Sequence, residues 1–216
     1  MPMIVVGGQH RKIGKTALVT SILHDFPHLR WQAVKFTSHR HDPQACEQVF
    51  RENGFSVWRQ SRAAAKNFTR SGVSLQSHVP DTARYLAAGA AAAFLVQYET
   101  RALEPACHWL RTQIPNSEPV IAEATSAAEF LVPDLFLMIL DPSSEDFKSS
   151  AAQLLSRTDA CVLARSQAPT AVLPPLIAGK PLIRLEIRYD RETLRNLICS
   201  RLSALPPREN KRPWIR

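Results

Sequence analysis

The segment MIVVGGQHRKIGKTALVTSIL, residues 3–23, constrains the fold more than any other part of the chain. Met3 to Val6 is a continuous apolar run and predicts a buried strand, whereas Lys15 to Asp25 predicts a helix. The chain must turn from one to the other across a short basic stretch ending Gly14-Lys15-Thr16. That ending suits a phosphate-binding loop, in which backbone N–H groups converge on an anion, a helix N-terminus stands behind it, a lysine supplies charge and a hydroxyl can ligate Mg²⁺. The usual loop leaves four residues between its two glycines. Here Gly8 and Gly14 enclose five, and Gln9 stands where the first glycine would be expected. Either Gln9 replaces that glycine, or the loop is one residue longer and begins at Gly8. The nucleotide-contacting set read from this stretch is Gly8, Arg11, Lys12, Ile13, Gly14, Lys15, Thr16 and Ala17, with Lys15 reaching the β- and γ-phosphates and Thr16 holding Mg²⁺.

Further along, short apolar segments alternate with helical ones. Strands are expected at Trp31–Thr37, Ala93–Gln97, Val120–Glu123, Leu135–Leu140, Ala160–Ala164 and Leu182–Leu185. Helices are expected at Asp81–Gly89, Glu104–Gln113, Ser143–Ser156 and Arg191–Leu202. Continuous apolar strands between helices predict an α/β fold, with a mostly parallel central sheet covered by helices on both faces. Function then belongs at the carboxyl ends of the strands. Residues 39–80 break the rhythm and read as an insertion or flap with local helix around Pro43–Glu52. The expected organisation is one P-loop NTPase-like domain over residues 1–205, followed by a basic tail at 206–216.

A second group of residues belongs at the same rim. Lys35, His39, His41 and Asp42 lie at or just beyond the end of the second strand. Asp42 could hold Mg²⁺ beside Thr16, or simply cap a helix starting at Pro43. The two histidines read equally as contacts to an anionic substrate or as plain loop residues. Glu123 ends a buried strand, where a carboxylate is costly unless paired or bound to a metal, so it is a candidate for positioning Mg²⁺ and its water. Asp81 reads as an N-cap, Arg84 as a phosphate contact or surface residue, and Asp141 as a helix cap in DPSSEDF.

In this order the pieces resemble the molybdopterin-guanine dinucleotide biosynthesis protein B family. The matching positions are Gly14, Lys15 and Thr16; Lys35, His39, His41 and Asp42; Asp81, Arg84, Ala88, Gly89 and Ala90; and Glu123. They fall in roughly the first three-fifths of the chain. The resemblance implies a GTP-binding α/β protein using Mg²⁺, often a homodimer, that assists the nucleotidyltransferase attaching GMP to molybdopterin. It implies a slow NTPase with Lys15 and Glu123 as catalytic residues, Thr16, Asp42 and Glu123 at the metal, and Lys35, His39, His41 and Arg84 toward the second substrate. The chain departs from that family in its bulky loop HRKI, its longer Pro43–Val79 segment, the Ala-Thr-Ser after Glu123 and the lack of an Asn-Lys-x-Asp guanine signature. The longer loop is similar to that of dethiobiotin synthetase, which keeps open an ATP-dependent ligase or small-molecule kinase.

Bulk properties narrow the field further. With 216 residues and 45% hydrophobic composition, the chain can bury a substantial core. A net charge of +8 favours polyanionic partners. Nucleic acid is disfavoured, because aromatic residues are only 7% and no recognised nucleic-acid motif occurs. Cys46, Cys107, Cys161 and Cys199 form no CxxC pair, which argues against a zinc ribbon. No run approaches the roughly 18 apolar residues of a membrane helix, and MPMIVVGG has no signal-peptide pattern, so a cytoplasmic location and no membrane partner are expected.

Overall fold

The computed structural model describes residues 1–39, 43, 45–52, 54–70, 79–164, 174–186 and 188–202. The first apolar run forms β1 (Met3–Gly8), buried at every position. After it come α1 (Lys15–Asp25), β2 (Gln32–Thr37), β3 (Cys46–Glu52), β4 (Phe55–Gln60), α2 (Arg62–Arg70), α3 (Asp81–Ala87), β5 (Ala92–Tyr98), α4 (Leu103–Gln113), β6 (Val120–Glu123), α5 (Ala128–Leu131), β7 (Leu135–Leu140), α6 (Ser149–Leu154), β8 (Ala160–Leu163), β9 (Leu182–Arg184) and α7 (Arg188–Leu202).

The side chains of β1 alternate between two apolar layers. Met3 and Val5 join Leu103, Ala106 and Leu110 of α4, Leu131 of α5 and Leu154 of α6. Ile4 and Val6 join Leu18, Val19 and Ile22 of α1, Tyr85 and Leu86 of α3, and Leu194 and Ile198 of α7. A strand buried on both faces belongs inside a sheet, with helices above and below. Among the described residues the strands run in the order β3-β4-β5-β2-β6-β1-β7-β8-β9. All pairings are parallel except β3 with β4 and β4 with β5.

This order positions the site. From β1 the chain passes through α1 toward β2, whereas from β7 it passes through α6 to β8, on the other side. The two helices lie on opposite faces. The strand order therefore reverses at β1 and β7, and a crevice opens above their carboxyl ends, the usual place for a ligand in an open α/β sheet.

Two expectations give way. The helix expected around Pro43–Glu52 is the strand β3, paired antiparallel to β4. CEQVFRE and FSVWRQ flank Asn53-Gly54, and Gly54 takes φ 86°, a conformation glycine adopts at little cost. The Asn-Gly dipeptide between alternating runs is a strong hairpin signal, and Phe55 and Val57 turn their apolar face onto the α4 layer. The helix expected over Ser143–Ser156 forms only as α6. Ahead of it, local side chains hold the backbone in turns. Asp141 accepts from the N–H and the hydroxyl of Ser143 at 2.9 and 2.5 Å, and Ser144 Oγ accepts from Asp146 N at 3.1 Å. Asp141 thus caps a turn rather than a helix. No helix among the described residues is long and apolar enough to cross a membrane.

Candidate functional site

The longer loop is the one that forms. β1 runs on to Gly8, and the chain folds back over it so closely that a Cβ there would meet Ile13 Cγ2 at 2.6 Å and Lys15 Cγ at 3.1 Å. The close approach that demands glycine is therefore at Gly8. Gln9, only 1% exposed, fastens the loop to the strand beside it. Its N–H donates to Ile139 O at 2.9 Å and its carbonyl accepts from Lys148 N at 3.1 Å. Its side-chain amide accepts from Asp141 N at 2.8 Å and donates to Ser144 O at 2.7 Å. On the other flank Thr125 Oγ1 accepts from Gly8 N at 3.1 Å. Ile13 anchors the loop in the α1 layer.

Gly14 caps α1 in the left-handed region, φ 102° and ψ 14°, with no side chain bonding the helix end and no acid in the first turn. The first amides of a helix lack intrahelical partners and carry partial positive charge. Lys15 adds a full one. Its ammonium lies 3.4 Å from His10 O, and among the described residues it makes no ion pair. Burial pulls Lys15 below its usual pKa, Glu123 opposes this, and the charges of Lys148 and Lys35 add to the depression. Arg11, exposed, donates to the ring of His39, whose own N–H reaches Thr37 Oγ1 at 3.2 Å, so the end of β2 meets the loop. Lys12, at φ 60°, and Ala17 are exposed.

Beside the loop lies a closed knot of charges. Glu123, 4% exposed, sits in register with Lys35 of β2 and Val6 of β1. Its Oε2 accepts from Thr16 Oγ1 at 2.6 Å and Tyr85 Oη at 2.5 Å, and its Oε1 accepts from Lys35 Nζ at 2.6 Å. Lys35 also donates to Asp81 Oδ2 at 2.5 Å, and Arg84 stands 3.5 Å from Asp81 Oδ1. Burial alone would lower Lys35, but the carboxylates of Glu123 and Asp81 outweigh it and hold its pKa above the usual value. Burial, followed by the same two carboxylates, pushes the Tyr85 phenol well up, so it stays a neutral donor. Asp81 is not the N-cap of α3; Pro80 holds that place, and the carboxylate one residue inside faces Lys35.

The chemistry of Thr16 and Glu123 suits a hard cation. The Thr16 hydroxyl donates a hydrogen bond to Glu123, which leaves its oxygen lone pairs able to serve a cation whose remaining ligands would be phosphate and water. His41 and Asp42 lie outside the described residues. Sequence reasoning missed Tyr85, Thr125 and Lys148 around the loop, and it named Gln9 only as a stand-in for the first glycine, not as the loop's tether. Tyr85 follows Asp81 by four residues on a helix, so it shares a face with Asp81, and that spacing was the available signal. The other three are placed by long-range pairing and carry no local mark.

No protein-family model matches this chain, and no curated protein does. Among solved structures it is similar to LpxK from Aquifex aeolicus, "apo" form in complex with ATP, with a TM-score of 0.50 and 18% identity over 85% of this chain and 53% of that one. It thus spans about half the length of that protein. It is also similar to a chain of the MinC:MinD cell division protein complex of Aquifex aeolicus, with a TM-score of 0.43 and 12% identity over 93% of this chain and 86% of that one. At such identity the likeness to LpxK is one of fold. With the strand–loop–helix geometry above, it establishes that the chain has a P-loop NTPase-like α/β fold with a mostly parallel central sheet.

Proposed function

We propose that the loop from Gly8 to Thr16 binds the phosphates of a nucleoside triphosphate with Mg²⁺, and that the protein hydrolyses it slowly. One observation carries this reading: a half-buried lysine, without an ion pair among the described residues, stands at a helix N-terminus that no side chain caps, beside a hydroxyl–carboxylate pair. Unpaired positive charge is expensive to bury and is relieved by an anion. Lys15 and the amides of Gly14 to Ala17 hold the β- and γ-phosphates, and the backbone of Arg11 to Ile13 lines the rest. Thr16 ligates Mg²⁺ and Glu123 orients a water in its shell. Bound there, Mg²⁺ supplies charge neutralisation.

For the finer identity, GTP and assistance to molybdopterin-guanine dinucleotide formation are the first reading. It is supported by the order of motifs, and Lys35, Asp81, Arg84 and Glu123 of that order form one connected group. In it, His39 and Arg84 face the second substrate. An ATP-dependent ligase or small-molecule kinase is the second reading, favoured by the loop that begins at Gly8 and by the likeness to a protein solved with ATP. A thermal-shift panel of GTP, ATP and their diphosphates with Mg²⁺ tests both. A triphosphate at a hundred times its dissociation constant should add about 2.7 kcal/mol of stability. Preference for GTP supports the first reading, and substrate-dependent ADP release in a metabolite screen supports the second. No shift with any nucleotide would overturn the proposal.

A further inference from the structure

The carbonyl of Gln9 accepts from the backbone N–H of Lys148 at 3.1 Å, and the Gln9 side chain holds Asp141 and Ser144 of the same segment. These bonds lay the segment between β7 and α6 along the phosphate loop and set Lys148, half-buried, at the start of α6. Lys15 opens α1 on one face of the sheet, and Lys148 stands where α6 opens on the other. The two therefore flank the crevice where the strand order reverses. Among the described residues Lys148 makes no ion pair, unlike Lys35, which has two. Its charge is felt there too: burial, then Arg11 and Lys35, pull its pKa down, with Glu123 opposing, and it depresses Lys15 in turn.

Lys15 and Lys148 carry like charges that repel, with Glu123 attracting both, and a polyphosphate placed between the two lysines meets both cations at once. We propose that Lys148 is a second phosphate-binding lysine, reaching the same anion as Lys15 from the α6 side of the crevice. The inference rests on the polyphosphate reading above. It also gives Gln9 a reason to stand where shorter loops have glycine: the extra residue is the bracket that brings in the second cation.

The test is calorimetric titration of Mg·GTP, Mg·ATP and inorganic tripolyphosphate into the wild-type chain, Lys148→Ala, Lys148→Arg and Lys15→Ala. Lys148→Ala should weaken every ligand the wild type binds by roughly 10- to 100-fold, tripolyphosphate as much as the nucleotides, because the contact is to phosphate. Lys148→Arg should recover most of it. The ligand-free melting temperature of Lys148→Ala should stay level or rise, since a repelling charge is gone. Wild-type-like affinity in Lys148→Ala, with binding lost in Lys15→Ala, overturns this inference and leaves the phosphate site standing. A lowered ligand-free melting temperature without rescue by arginine also overturns it, by making the role structural. Absence of binding to the wild type overturns both.

Discussion

The two halves of the rim differ in how their charges are met. In the knot of Thr16, Lys35, Asp81, Tyr85 and Glu123, each ionic group has a partner within 2.6 Å. Beside it, Lys15 of the loop and Lys148 at the start of α6 have no ion pair among the described residues, and the N-terminal end of α1 has no side-chain cap. The same sheet edge thus carries one region whose charges the protein pairs by itself and one whose cations stay unpaired among the described residues. Mutations should therefore divide: changes at Lys35, Asp81 and Tyr85 should cost chiefly stability, changes at Lys15 and Lys148 should cost chiefly binding, and Thr16 and Glu123 belong to both.

The sharpest division is expected at Lys35. Lys35→Met leaves Glu123 buried without its cation and should lower unfolding free energy by about 3–5 kcal/mol in urea titration. A cost under about 1 kcal/mol would mean that the knot is ornamental. Next, Lys15→Ala should weaken Mg-triphosphate binding about a hundredfold, some 2.7 kcal/mol, with ligand-free stability level or raised. Gly8→Ala joins the regions, because its methyl would strike Ile13 Cγ2 at 2.6 Å. It should cost about 2 kcal/mol of stability and also displace the loop, seen as weaker nucleotide binding. Tyr85→Phe removes one donor to a buried carboxylate and should cost about 1.5 kcal/mol in chemical denaturation, with a smaller effect on affinity.

The mildest probe is pH. Lys15 is held below its usual 10.5, so carrying its proton costs the folded state; that cost begins to lift as pH rises through the depressed value and is gone above 10.5, and the charge that Lys15 offers a phosphate is lost as it deprotonates. Lys35 is held above 10.5, so its contribution is complete below that pH and is lost only as pH climbs through the raised value. As pH rises from the depressed Lys15 value toward 10.5, triphosphate affinity should fall while neither lysine's titration lowers the stability of the ligand-free protein. Lys15→Arg, which stays charged, should flatten the affinity profile. An identical decline in that variant would assign the titration to another group.

The fold was largely legible because β1 and β7 are continuous apolar runs and the inner strands lie between helices, the pattern of a covered parallel sheet. The hairpin escaped notice because β3 and β4 are half-polar, although Asn53-Gly54 marks their turn in the sequence. Within the site, Gly14, Lys15, Thr16 and Glu123 announce themselves through position at a strand end or helix start. Gln9 and Lys148 do not, because their role comes from β1 lying next to β7, a neighbour relation that no local pattern records. Asp81 was misread for the opposite reason: a local helix-start signal explained it fully, while its partner Lys35 lay 46 residues back.

The most direct measurement is a nuclear magnetic resonance titration of ¹⁵N-labelled protein with a non-hydrolysable triphosphate and Mg²⁺. The backbone amides of Gly14, Lys15, Thr16 and Ala17 should shift first and furthest, as they take up the phosphate oxygens. Binding that leaves those amides unmoved, or no binding at millimolar nucleotide, would contradict a phosphate site at the end of β1.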